Sequence, residues 1–259
     1  MQNHGREEHG ATQASGCLSC YLNALCIPQG LSPDETALLD EIVYPPTRLE
    51  KKEVLCFQAT PFDSLYAVRT GCLKQETTAE GAENLLTALW LPGDIIGCDA
   101  IGLGHYPGTV SALETATLCK LPFDRFEALT QRMPRLRRYL QHNISRAMHE
   151  ERLRLHRLLS RTAEARLACF LLGISDCFRR RGYSPRCFRL PMSRNDIGSY
   201  LGLTQETVGR TLATYQAQRL LRVRGREYQL LDIARLERLA SSTGRRQKRL
   251  RACRVDQAR

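Results

Sequence analysis

Between residues 47 and 121 short apolar-rich runs are separated by polar and turn residues, and they predict strands at 54–57, 64–70, 72–78, 85–91, 109–113 and 117–121. Gly71, Gly81, Pro92-Gly93-Asp94 and Gly97 punctuate the runs where turns need a positive or a fixed φ. Short strands broken in this way fold into an antiparallel roll or barrel. After Pro134 a helical period begins. Ile144, Met148, Leu155 and Leu158 fall on a heptad seam of one long helix that runs to about Leu159, with Glu151 in the slot between Met148 and Leu155. Two such helices about a two-fold axis bury the stripe and bring the two Glu151 carboxylates near each other. A stripe packed on the chain's own roll is the other outcome open to such a face.

A second helix over 162–181 carries the stripe Ala165, Leu167, Ala168, Phe170, Leu171, Leu172, Ile174 and Phe178, and Gly182 and Pro185 end it. A short strand follows at 188–190. Ser193 to Asp196 cap a helix through Tyr200, Gly202 turns the chain, and Thr204 caps the next helix from Gln205 to about Gln216. Runs at 220–223 and 228–231 about Gly225 make a hairpin, so this half predicts a winged helix-turn-helix. Residues 1–16 are polar with little to bury and predict disorder. His142, His149 and His156 recur every seven residues, a spacing too long for one metal ion, and are expected on the surface.

Charge divides the chain. Residues 1–133 carry 9 Lys+Arg against 17 Asp+Glu, a net −8, while residues 134–259 carry 29 against 10, a net +19. The polyanion-binding surface therefore belongs to the second half, and double-stranded DNA is the expected partner. In a helix-turn-helix the first turns of the second helix meet base edges, which selects Gln205, Glu206, Gly209 and Arg210. A carboxylate at Glu206 accepts from cytosine N4, and a guanidinium at Arg210 grips guanine or phosphate; an internal salt bridge is the plainer use of the pair. The tail 244–259 holds 7 Lys+Arg in 16 residues and predicts an unspecific phosphate-attracting arm. No apolar run approaches the ~18 residues of a membrane span, and the N-terminus lacks a signal-peptide core. The expected compartment is the cytoplasm, where clustered thiols signal metal more often than disulfide.

Eleven cysteines are present, and three crowd together as Cys17-x₂-Cys20-x₅-Cys26, with Cys119 in a strand-like run. Soft thiolates at close spacing suit iron–sulfur clusters or zinc. Cys56, Cys72, Cys98, Cys169, Cys177, Cys187 and Cys253 lack such spacing; those in strands and helices are expected as small buried hydrophobes, and Cys253 as an exposed thiol in the tail.

These cysteines, the run from Leu91 through Pro92-Gly93-Asp94 to Gly102, Leu113-Glu114-Thr115 and the run from Asp196 to Val208 together resemble the CRP/FNR superfamily. Within it the chain resembles the oxygen-responsive FNR (fumarate and nitrate reduction) branch over about residues 15–242. The resemblance implies an α+β chain: an N-terminal antiparallel β-roll of the cyclic-nucleotide-binding jelly-roll kind with its cysteine loop (17–133), a dimerisation helix (134–160), a winged helix-turn-helix (161–242) and a basic tail (243–259). It implies one [4Fe–4S] cluster per subunit on Cys17, Cys20, Cys26 and Cys119, covered by Leu18, Tyr21, Leu22, Leu25 and Ile27. It also implies a homodimer through Ile144, Met148, Glu151, Leu155 and Leu158 that binds palindromic DNA while the cluster is intact and is inactivated by oxygen. RNA polymerase is the further partner, touched near residues 78–83.

One departure stands out. The branch carries Glu-x-x-Ser-Arg on its reading helix, whereas Glu206-Thr207-Val208-Gly209-Arg210 follows the cyclic-AMP-responsive branch, which opens the half-site to TGTGA as well as TTGAT. Other signals on the same fold are heme-bound gas through His105, nitric oxide, or zinc and thiol redox. A cyclic-nucleotide sensor needs an Arg-Ser pair where this chain has Pro107-Gly108-Thr109. No Ser/His/Asp, Walker or GxGxxG arrangement points to an enzyme.

Overall fold

The computed structural model describes residues 16–78 and 84–242. The expectations for residues 1–15, for the tip 79–83 of the hairpin that includes Gly81, and for the tail with Cys253 fall outside the described residues.

The first half builds eight strands: β1 (Thr47–Leu49), β2 (Val54–Cys56), β3 (Ser64–Thr70), β4 (Leu73–Thr77), β5 (Leu85–Trp90), β6 (Ile95–Ile96), β7 (Thr109–Ala112) and β8 (Ala116–Pro122). They form two four-stranded antiparallel sheets, ordered β1-β8-β3-β6 and β2-β7-β4-β5. Val68, Leu73, Ile96, Val110 and Leu118 pack between them. Ahead of the roll lies α1 (Pro33–Asp40), opened by a capping box between Ser32 and Glu35 with proline in its first turn. It follows a single 3₁₀ turn over Cys17–Ser19.

β8 runs directly into α2 (Phe123–Arg132), and α3 (Pro134–Ser160) starts on proline after Met133. At 27 residues α3 is about 40 Å long. Of its residues only Leu136 is buried, while Met148, Leu153, Leu155 and Leu159 are exposed by 40–71%. Large apolar side chains left open along one helix mark a face that another chain covers.

The second half holds α4 (Ala163–Arg180), β9 (Cys187–Arg189), α5 (Arg194–Leu201), α6 (Gln205–Ala217), β10 (Leu221–Arg224), β11 (Glu227–Leu230) and α7 (Ile233–Ala240), with a β10-β11-β9 sheet. Gly202 ends α5 in the left-handed region at φ 60°. At Gly198 a Cβ would stand 2.6 Å from the Leu203 carbonyl, so only glycine lets the α5–α6 turn close. The apolar core of this half does not stop at its own elements. Cys72, Leu86, Leu91 and Leu113 of the roll are buried in it with Leu171, Ile197, Val208 and Tyr215. Polar contacts fasten the same seam: Lys74 to Asp196 at 3.0 Å, Leu86 N–H to Ser199 Oγ at 2.8 Å, and Arg189 to Glu114.

Candidate functional site

The cysteine loop is held by hydrogen bonds within itself and to α1. Cys26 N–H donates to the Leu22 carbonyl (2.9 Å), Asn23 Nδ2 to the Cys17 carbonyl (3.0 Å), and Cys17 N–H to Asp40 Oδ1 at the end of α1 (2.7 Å). Tyr21 adds a hydroxyl to the Arg69 carbonyl on β3. On the facing sheet Cys119 pairs in register with Ala67. The result is that Cys17, Cys20, Cys26 and Cys119 line one pocket with a cavity volume of about 30 Å³, whose other walls include Ile27, Leu39, Val43, Val68 and Leu121.

Burial pushes the Cys17 thiol far up, with Asp40 adding to the shift through a hydrogen bond and its charge. Burial likewise lifts Cys26 to about 12. Cys119 is raised by burial too, with Arg69 opposing. Such thiols stay protonated at neutral pH on their own, and giving up the protons requires a cation among them. No group of three or more His, Cys, Asp or Glu able to hold a metal ion occurs among the described residues. The four thiols share the lining of one pocket without forming such a group.

Two parts of the expected apolar cover differ. Leu22 and Ile27 are buried, whereas Leu18 and Tyr21 are more than half exposed because their side chains leave the 3₁₀ turn and the loop on the solvent side. Asp40 and Arg69 were not selected from the sequence; they follow Cys26, the nearest loop cysteine, by 14 and 43 residues, and no spacing rule links them. Of the other cysteines, Cys56 and Cys72 are buried and Cys98, Cys169 and Cys177 half-buried. Cys187 is exposed, on the outward face of β9 with Arg189.

In the reading head, Thr204 caps α6 by accepting from Thr207 N–H at 3.2 Å. Gln205, Glu206 and Arg210 are exposed, and Val208, Thr211, Leu212 and Tyr215 anchor the opposite face. Glu206 is held below its usual range by its own backbone amide and the Thr204 hydroxyl, with Arg210 a smaller contribution. The hydrogen-bond partner of Arg210 is Thr207 Oγ1 at 3.5 Å, not Glu206, so the two charged side chains are separately available. A Cβ on Gly209 would meet nothing within 4 Å.

On α3, Ile144 is half-buried while Met148, Glu151 and Leu155 are exposed. Glu151 lies 3.3 Å from Arg154, whose guanidinium also donates to the Leu86 and Thr87 carbonyls and stacks on Tyr200, 4.4 Å from the ring centre. Leu158 is half-buried and lies at Gly202 of its own chain. His142, His149 and His156 are exposed. In the roll, Pro107-Gly108-Thr109 carries no cation, and a Cβ on Gly108 would stand 2.8 Å from the Gln75 side chain.

A cyclic-nucleotide-type roll joined by a long helix to a winged helix-turn-helix defines a DNA-binding transcription regulator. Comparison with known proteins agrees. Residues 46–133 match the cyclic nucleotide-binding domain and residues 165–239 the Crp-like helix-turn-helix domain. The chain is 39% identical over 222 residues to the transcriptional activator protein FnrA of Stutzerimonas stutzeri, covering 86% of this chain and 91% of that one. It is 39% identical to the transcriptional activator protein anr of Pseudomonas aeruginosa (86% and 92% covered). It is 38% identical to the fumarate and nitrate reduction regulatory protein of Escherichia coli K12 (88% and 91%). Among solved structures, FixK2 from Bradyrhizobium japonicum superposes with a TM-score of 0.69 at 27% identity, covering 77% of this chain and 98% of that one. The chain belongs to the Crp/FNR family of transcription regulators, with the FNR and Anr activators as its relatives, and its function is regulation rather than catalysis.

Proposed function

We propose that this chain is an oxygen-responsive, cytoplasmic transcription factor in which Cys17, Cys20, Cys26 and Cys119 hold one [4Fe–4S] cluster. The observation that carries the reading is the sharing of one apolar pocket by these four thiols, three from a loop and one from β8. The donor set fits the group: four soft sulfur ligands in a pocket with largely apolar walls. Such a cluster supplies an oxygen-labile iron–sulfur core held by four thiolates. The chain's own part is to clamp residues 17–26 against β3 and β8. The cavity between these thiols measures about 30 Å³.

The open face of α3 with Met148 and Leu155 supports a homodimer, and two reading helices then meet a palindrome of TTGAT- or TGTGA-like half-sites, with Glu206 and Arg210 on the shared TGA core. RNA polymerase is the partner at the promoter. No helix among the described residues is long and apolar enough to cross a membrane. The test is anaerobic purification: brown protein that bleaches in air, with about four iron per chain, lost in Cys17→Ser, Cys20→Ser, Cys26→Ser and Cys119→Ser but kept in Cys72→Ser. A colourless protein with stoichiometric zinc refutes the assignment.

A further inference from the structure

The cysteine loop, the turn at Pro92-Gly93-Asp94 and the end of α4 touch in series. Leu25, the neighbour of Cys26, packs on Gly93. That glycine has φ +94°, and a Cβ there would stand 3.2 Å from Leu25 Cβ and 3.4 Å from the Leu25 carbonyl oxygen. The turn is tightly held: Asp94 Oδ2 accepts from Leu91 N–H (2.8 Å), Gly93 N–H donates to the Val68 carbonyl (2.8 Å), and Val68 N–H donates to the Asp94 carbonyl (3.0 Å). The turn is thus one tied unit standing between Leu25 of the loop and β3.

From the other side Arg181, the residue that ends α4, grips the same turn. Its Nε donates to the Pro92 carbonyl (2.6 Å), Nη2 to Asp94 Oδ1 (3.0 Å) and Nη1 back to the Cys177 carbonyl of its own helix (3.1 Å). The Arg181 side chain is only 9% exposed and that of Asp94 26%. A planar guanidinium bound along three directions fixes orientation as well as distance. Leu91, next in line, is buried in the core of the DNA-reading half.

We propose that the Arg181–Asp94 pair is a latch through which the cysteine loop positions the DNA-reading half of the same chain, alongside any signal that α3 carries between subunits. Arg181 is a positioning residue and touches neither thiol nor DNA. That cluster loading drives the latch rests on the function proposed above. The mechanical link from loop to α4 rests on the contacts alone.

The experiment uses full-length parent, Arg181→Gln, Arg181→Lys and Asp94→Asn. Iron content and dimerisation are measured anaerobically, DNA affinity is measured on a palindromic duplex, and alkylation of Cys20 and Cys26 is followed by mass spectrometry in protein stripped of metal. Arg181→Gln is expected to keep the parent's iron and dimer, to bind DNA about tenfold more weakly, and to alkylate faster at Cys20 and Cys26. Arg181→Lys, which retains the ion pair, recovers part of both. Parent-like DNA affinity, or weakened DNA binding with unchanged alkylation, overturns the latch. If Arg181→Gln does not fold, Asp94→Asn carries the same comparison. Iron-free parent whose loop still loosens in Arg181→Gln refutes the cluster and leaves the latch standing.

Discussion

Gly209→Ser separates what α6 does for the fold from what it does for DNA. A Cβ at this position meets no heavy atom within 4 Å, and Gly209 is not among the glycines at positive φ, so serine enters without strain. Glycine in a helix interior costs roughly 0.5 kcal/mol more than serine, so the variant should gain about that much stability. For a domain of this size the gain corresponds to a Tm about 1–2 °C higher. The added hydroxyl stands one turn along from Gln205 and beside Arg210, where it can touch a base edge. A single side-chain contact of this kind is worth about 1 kcal/mol, roughly fivefold in relative affinity. The assay is fluorescence anisotropy on paired TTGAT and TGTGA palindromes at one salt concentration, since counterion release otherwise swamps the ratio. Preference should move toward TTGAT by that factor, while Arg210→Ala costs about 1–3 kcal/mol and flattens discrimination at the G·C pair. A parent that already strongly prefers TTGAT, with a ratio unmoved by the substitution, refutes the reading of Gly209. A Tm lowered by several degrees refutes the packing argument.

Glu151→Ala should strengthen dimerisation of air-exposed protein by less than about 1 kcal/mol, because Glu151 is exposed and already paired with Arg154; sedimentation showing unchanged or weaker dimers would place Glu151 away from its two-fold mate. Asp196 is pulled up by burial but more strongly down by hydrogen bonds from Ser193 and by Lys74, so its folded pKa lies below the usual value. Its contribution is present above about pH 4 and is lost as pH falls through the lowered pKa. Asp196→Asn should cost about 1–2 kcal/mol at pH 7 and flatten the acid limb of a denaturation series, and an unchanged acid limb counts against that coupling.

Elements with a continuous apolar run or a regular period were legible from the chain. β3 matches its expected bounds because an apolar run, Leu65 to Val68, is closed by the Gly71 turn, and α3 follows its stripe from Pro134. Short or weakly patterned elements were not. β6 is two residues, too few to show a period, and α1 buries only Thr36 and Leu39, so its signal lay in the Ser32/Glu35 capping box instead. α2 and α7 adjoin a strand and a hairpin that mask their starts. The loop cysteines Cys17, Cys20 and Cys26 stood out by their local spacing, whereas Cys119 was reached only through the family resemblance. Asp40, Arg69 and Arg181 were not legible, since each reaches its partner only after the roll has brought distant segments together.

The burial of Cys72, Leu86, Leu91 and Leu113 in the core of the second half also bears on how such regulators are taken apart. A DNA-reading fragment cut at the end of α3 would carry a raw apolar socket where those four side chains belong. A hybrid that sets this reading head on a different sensor has to import the matching four residues with it. The chain is modular along its length and undivided through its interior.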